Sequence, residues 1–305
     1  MVFVAQMRSE AKHDFAQTPF FDMAVRVSME QTPSWTQTGA LDLQLPPADI
    51  VRGVQTVLVQ PFPQHGLEWL YRGGLFAHWL PEVHALAGLS DEVGQAHKDV
   101  WEHTKTVVFQ ACNRPIVRWA ALLHDIGKVP TRTIDEKGHA HFYGHAEVGA
   151  RMFDAVQQRL RFPAEDAAAI RFLIEAHLRA NQYQSHWTDA AVRRFAKDAG
   201  PWCGDLLDLS RADITSAMPG KKEAAQRRVD ELAARIAALH EQDTRPPLLP
   251  KGLGEALIRD LGLPPSPQLG QIKAQLEAAV QAGTLEPGQP LAYYVAAARS
   301  WLQEV

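Results

Sequence analysis

The nine residues Leu122–Pro130, LLHDIGKVP, close an apolar helical run, Val117–Leu123 (VRWAALL), with an adjacent imidazole and carboxylate, His124 and Asp125. A charged pair ending so apolar a helix is costly to bury unless a cation or other polar groups bond it. An imidazole beside a carboxylate is also a ready pair of ligands for a divalent metal. At Gly127 the chain is expected to turn sharply, so that Lys128 faces whatever the metal holds. The stretch reads as the end of a buried helix that carries a site.

Outward from it, apolar residues from Pro47 onward recur mostly at helical spacing, and breaks fall where proline and glycine cluster, so the fold class is mostly α. Helices are expected over Ala48–Val59, Leu67–Leu80, Asp91–Gln110, Pro115–Asp125, His145–Leu160, Pro163–Leu178, Ala190–Ala199 and Leu206–Ser216. Further helices are expected over Lys221–His240, Gly252–Leu261, Leu269–Ala282 and Ala292–Leu302. Ser90 and Thr188 suit N-caps, Pro115 and Pro163 suit first-turn positions, and Asp243–Gly252 (DTRPPLLPKG) is the clearest linker. Residues 1–46 read differently: FDMAVRVSME (21–30) and ALDLQL (40–45) alternate like short strands, a small segment that packs on the helical body or on a partner chain.

Of the 305 residues 46% are apolar, enough for a substantial core, and the formal net charge of -4 carries no whole-chain signature of a nucleic-acid binder. Cys112 and Cys203, the only cysteines, lie far apart and in no Cys-x-x-Cys pattern, so neither a disulfide framework nor a thiolate zinc site is indicated. Neither a signal peptide nor a membrane-spanning run is legible, and a cytoplasmic protein is expected. The basic pairs Arg193 and Arg194, Lys221 and Lys222, and Arg227 and Arg228 read as solvated helix surface before they read as a phosphate-tracking face.

Two more signals flank the central pair: His103 in VWEHT (100–104) and Asp213 in LSRADIT (209–215). A lone helical histidine is more often satisfied by a neighbour, and Asp213 could as readily pair with Arg211 or cap its helix. Together, two imidazoles and two carboxylates from three helices would make a mixed nitrogen and oxygen site with open positions for water. Such a set suits Mn, Fe, Co, Ni or Zn better than Ca.

In this order the residues resemble the HD phosphohydrolase superfamily, whose pattern His103, His124, Asp125 and Asp213 match. The segments DVWEHT, LLHDIGK and GHAHFYGHAEVGARMF are similar to the HD domain in the C-terminal part of bacterial CCA-adding tRNA nucleotidyltransferases. LYRGGLFAHWLPEVHALAGL is similar to their helical neck, and LPKGLGEALIRDLGLPPSPQLGQIKAQLEAAVQAGTLE to their tail. The resemblance implies an HD-domain helical bundle, partitioned as an N-terminal segment (1–46), a neck (47–90), an HD metal-binding domain (91–219) and a helical tail (220–305). By the same resemblance His145 and His177 fit the ligands of a second ion bridged by Asp125. His139 and His141 read as part of a Gly-bounded loop, placed to contact the metal's ligands or the substrate. No GGxxRD loop and no Asp-x-Asp pair occurs in the first 90 residues, so nucleotide addition is not expected. His13 and Asp14 repeat the dipeptide without an apolar helix before it and are read as coincidence.

The function implied is metal-dependent hydrolysis of a phosphoester in a nucleotide or an RNA end, as a 2',3'-cyclic phosphodiesterase or phosphatase. One or two divalent ions (Mn, Fe, Ni, Co, Mg or Zn) would lower the pKa of a bound water, with Asp125 and Lys128 catalytic and Lys128 and Arg211 offsetting phosphoryl charge. The competing readings are an RNA-binding module and a nucleotide sensor that retain the fold without turnover. Nothing indicates DNA or a membrane as partner, and a homo-oligomer is compatible with the sequence.

Overall fold

The computed structural model describes residues 19–31, 44–89, 99–216, 218, 220–244 and 247–303, in two compact units, one running to Ala237 and one starting at Ala238. The first unit opens with α1 (Pro19–Val27), α2 (Pro47–Leu58), α3 (Pro63–Arg72), α4 (Leu75–Trp79), α5 (Pro81–His84), α6 (Val100–Gln110), α7 (Pro115–Leu123) and α8 (Lys128–Thr131). Two short antiparallel strands follow, β1 (Thr133–Ile134) and β2 (Ala140–His141), with Thr133 opposite His141. Then come α9 (His145–Leu160), α10 (Ala164–Ala176), α11 (Asp189–Ala199), α12 (Cys203–Ala212) and α13 (Lys221–Thr244). The second unit holds α14 (Leu253–Leu261), α15 (Pro267–Gln281) and α16 (Leu291–Gln303) around a core that includes Leu257, Ile272, Leu276 and Tyr294. No helix among the described residues is long and apolar enough to cross a membrane.

The chain is mostly α, as its periodicity predicts, and α7 lies at the centre of the first unit with α6, α10 and α12 packed on it. Val117–Leu123 are buried without exception. A helix apolar on every side has no face to give to water, and VRWAALL therefore takes the middle. Its one charge, Arg118, donates to the carbonyls of Ala111, Leu58 and Gln60, so the guanidinium satisfies acceptors left open at the ends of α2 and α6. Pro115 starts α7 as expected, and the Thr188 hydroxyl caps α11 by accepting from the Ala191 N–H at 3.2 Å.

Several sequence expectations are corrected. Residues 21–27 form part of α1 rather than a strand: Phe20, Phe21, Ala24 and Val27 are buried, a helical spacing that the alternation of Phe21, Met23, Val25 and Val27 conceals. The two phenylalanines fill the space over Gly53 of α2 and Gly73 just past α3, where an added Cβ would come within 2.4 Å and 2.3 Å of their rings. Residues 40–43 of the second expected strand, and Ser90, lie outside the described residues. The expected helix over Leu67–Leu80 breaks at Gly73 and Gly74, the latter left-handed at φ 80, and Pro81 begins the next turn. Pro163 occupies the N-cap of α10 with ψ 142, one residue earlier than expected. The last helix before Asp213 spans Cys203–Ala212, not Leu206–Ser216, and Asp243 continues α13 instead of opening a linker.

Candidate metal centre

His124 and Asp125 are the first residues past α7, buried to 0% and 1% exposure. Asp213 likewise follows the last residue of α12, His177 follows α10, His145 is the first residue of α9, and His103 lies in the first turn of α6. Helix ends thus aim all six side chains at one place.

The rings are oriented from outside. The Nδ1 atoms of His124, His145 and His177 lie 2.8, 2.8 and 2.7 Å from the carbonyls of Ala121, Phe142 and Ile174, each three residues earlier. His103 Nδ1 lies 3.0 Å from the Thr215 hydroxyl. A carbonyl only accepts, so in His124, His145 and His177 Nδ1 carries a proton and Nε2 is the atom turned inward.

The inward atoms form two groups. His103 Nε2 and His124 Nε2 are 3.3 Å apart; Asp125 Oδ2 lies 3.4 and 3.1 Å from them, and Asp213 Oδ1 lies 3.1 and 3.5 Å. On the other side His145 Nε2 is 3.4 Å from Asp125 Oδ1 and 3.2 Å from His177 Nε2. Asp125 therefore faces one group with each of its oxygens. Atoms bound about 2.1 Å from one ion lie about 3.0 Å apart along an octahedral edge and about 3.4 Å along a tetrahedral one. The observed spacings fall in that range.

Asp125 Oδ2 is buried and accepts no hydrogen bond, although Lys128 Nζ pairs with it at 2.9 Å. Beyond that ammonium, imidazole nitrogens and carboxylate oxygens packed this closely are mutually repulsive unless a proton or a metal cation lies among them. Burial disfavours a proton on His124, yet Asp125 and Asp213 outweigh it and raise its pKa to about 10. Protonated, His124 itself supplies a cation to the carboxylates, and a metal ligated by its Nε2 would displace that proton. Burial also opposes the charges of the two carboxylates, but His124, Lys128 and His103 hold Asp125, and His103 and His124 hold Asp213, well below the usual carboxylate range. His177 is lowered to about 4 by burial and by the charge on His124, so it is neutral at pH 7 and offers its lone pair. The donor set fits a borderline divalent metal, with His103, His124, Asp125 and Asp213 at one position and Asp125, His145 and His177 at a second.

The geometry comes from close packing. Gly127 has φ -70, an ordinary helical value, so the expected sharp turn is absent; its lack of a side chain serves contact instead. A Cβ there would fall 2.0 Å from the His145 carbonyl and 2.6 Å from the Gly149 nitrogen, so glycine lets the first turn of α9 lie directly against Asp125.

The remaining predicted residues are placed differently. Lys128 adjoins Asp125 and lies 5.3 Å over the Phe142 ring. His139 and His141 belong to the β1–β2 hairpin rather than an open loop, both turned to Asp135 Oδ2 at 3.3 and 3.1 Å. Arg211 is held between Asp208 and Asp230 at 2.8 and 2.7 Å. Sequence reasoning missed Thr215 and the three orienting carbonyls; their one signal is that His124 and His177 each directly follow a helix end, one turn beyond the carbonyl that holds them.

Residues 84–218 match the HD domain family. The A-adding tRNA nucleotidyltransferase of Deinococcus radiodurans is 32% identical over 82% of this chain and 57% of its own length. The CC-adding tRNA nucleotidyltransferase of Thermus thermophilus is 34% identical over 78% of this chain and 54% of its own. The multifunctional CCA protein of Pseudomonas aeruginosa PAO1 is 34% identical over 42% of this chain and 32% of its own. The chain thus spans about half the length of the first two relatives.

Proposed function

The chain carries an HD domain and is homologous to CCA-adding tRNA nucleotidyltransferases over its HD, neck and tail regions, and from that premise we propose that it is a metal-dependent phosphohydrolase. Its substrate is a phosphoester of a nucleotide or an RNA end, opened as a 2',3'-cyclic phosphodiester or removed as a terminal phosphate. The observation that carries the reading is Asp125, which offers one oxygen to each of two converging sets of imidazole lone pairs.

His103, His124, Asp125 and Asp213 would hold one divalent ion, and Asp125, His145 and His177 a second. Such ions supply a water of lowered pKa and positive charge for the phosphoryl oxygens. The protein supplies the rest. Carbonyls of Ala121, Phe142 and Ile174 keep each ring in the ligating tautomer. Lys128, anchored by Asp125 and bounded by Phe142, places an ammonium beside the reacting phosphate, where it offsets charge as the leaving oxygen departs. Burial of Asp125 and His124 excludes bulk water and strengthens each of these interactions.

The first two relatives are tRNA nucleotidyltransferases, which favours an RNA end over a free nucleotide as substrate. The test combines metal analysis of the purified protein with turnover of bis-p-nitrophenyl phosphate and 2',3'-cAMP across Mn, Fe, Co, Ni, Mg and Zn. Bound metal and hydrolysis, both lost in Asp125→Ala, support the reading. Tight RNA binding without metal or turnover would leave an RNA-binding module instead.

A further inference from the structure

Arg132 is half-buried at the end of α8, and its Nε is shielded from water with no hydrogen-bond partner. Among the described residues no ion pair or ring contact engages its guanidinium. A guanidinium cannot shed its charge, so leaving it partly desolvated and unpaired is costly and calls for an anion. Other arginines drawn out of water here satisfy that need within the chain: half-buried Arg159 pairs with Glu82 and Arg211 with Asp208 and Asp230, and buried Arg118 donates to three carbonyls.

Its place on the chain indicates which anion. Asp125, Lys128 and Arg132 stand at i, i+3 and i+7 along nearly continuous helical backbone: His124 and Gly127 have helical dihedrals, Lys128 N–H donates to the Asp125 carbonyl, and α8 follows. Residues at this spacing share one face, and those four apart are neighbours about 5–6 Å apart at Cβ. Lys128 ends 2.9 Å from Asp125 Oδ2, so Arg132 continues the same ridge one turn farther from the metal-ligating carboxylate.

We infer that Arg132 binds a second phosphate of the substrate, adjacent to the one positioned at Asp125, and thereby selects substrates with two neighbouring phosphates over mononucleotides. The inference rests on the phosphohydrolase reading and sharpens its substrate class to an oligoribonucleotide end. Planar, bidentate donors are what a phosphate oxygen pair asks for, and a lysine at this place would give charge without the fork.

The experiment measures binding calorimetrically on metal-loaded wild type, Arg132→Met and Arg132→Lys, with adenosine 3'-monophosphate, adenylyl-adenosine 3'-phosphate and ADP as ligands. Arg132→Met should weaken dinucleotide binding roughly tenfold or more, the size expected for charge-assisted hydrogen bonds, against less than about threefold for the monophosphate. Arg132→Lys should recover only part of the loss. Weaker ADP binding of the same size would assign the subsite to any neighbouring phosphate; unchanged ADP binding would restrict it to the RNA backbone. The melting temperature supplies a readout independent of ligand: relief of an unpaired cation should leave that of Arg132→Met equal to or above wild type. Equal losses for both nucleotides, a lowered melting temperature, or wild-type protein that prefers neither would overturn the inference. Hydrolysis of bis-p-nitrophenyl phosphate, measured in parallel, decides the phosphohydrolase reading separately.

Discussion

Replacing Gly127 by alanine should unseat half of the metal centre while sparing the other half. The backbone there is helical, φ -70, so the effect is not one of strain but of space. The new Cβ would lie 2.0 Å from the His145 carbonyl and 2.6 Å from Gly149 N, and since real Cβ contacts do not come below 3.0 Å, the first turn of α9 must retreat by about 1 Å. Backbone atoms on both sides leave no flexible side chain to yield. Overpacking of this kind costs roughly 1–3 kcal/mol, which for a unit of this size lowers the melting temperature by roughly 2–12 °C. His145 moves with that turn, and its Nε2 now stands 3.4 Å from Asp125 Oδ1 and 3.2 Å from His177 Nε2. The same displacement therefore opens the second triad, whereas His103, His124 and Asp213 come from other helices. Calorimetry together with metal analysis by plasma mass spectrometry should show a lower melting temperature and about one ion per chain fewer than wild type. A Gly127→Ala protein with unchanged melting temperature and unchanged metal content would refute the reasoning.

Single-ligand variants should separate the two positions: His103→Ala and His177→Ala each lose about one ion per chain and Asp125→Ala loses both, a pattern that equal losses in all three would contradict. Glu68 accepts from Lys105 at 2.7 Å, Arg72 at 2.8 Å and Trp101 at 3.1 Å; burial raises its pKa, but these partners together lower it beneath the ordinary 4.5. A carboxyl with a lowered folded pKa adds stability above its unfolded pKa and loses it as pH falls through the folded one. Glu68→Gln should therefore destabilise by about 1–3 kcal/mol at pH 7 and flatten the loss of stability on acidification; melting curves that run parallel from pH 7 to 3 would count against this. Thr188→Ala removes the cap of α11 and should cost about 0.5–2 kcal/mol with no change in bound metal, as read by denaturant titration and metal analysis.

The helical architecture was largely legible because a period near 3.6 residues survives wherever one face is buried. His145–Leu160 could be bounded to the residue because Gly144, left-handed at φ 73, precedes it and Phe162-Pro163 follows. Where burial covers a short, nearly symmetric segment the period is ambiguous, and for that reason Phe21–Val27 reads as a strand although it folds as part of α1. The six candidate ligands were nameable from residue type, order and resemblance, and the fold brings all six together. What the sequence withheld is vectorial. It did not show that Asp125 points an oxygen each way, that the orienting carbonyls lie one turn back, or that Gly127 is there for contact. Arg211 illustrates the converse: its place next to Asp213 suggested a phosphate contact, but Asp208 and Asp230, three residues earlier in the same helix and on α13, claim its guanidinium.

A carboxylate shared between two ions leaves a direct physical signature. With Mn(II) loaded into the purified protein, electron paramagnetic resonance should show an exchange-coupled pair whose intensity saturates near two ions per chain and vanishes in Asp125→Ala. A wild-type protein that binds no manganese, or binds isolated ions that persist in Asp125→Ala, would contradict a metal centre built on Asp125.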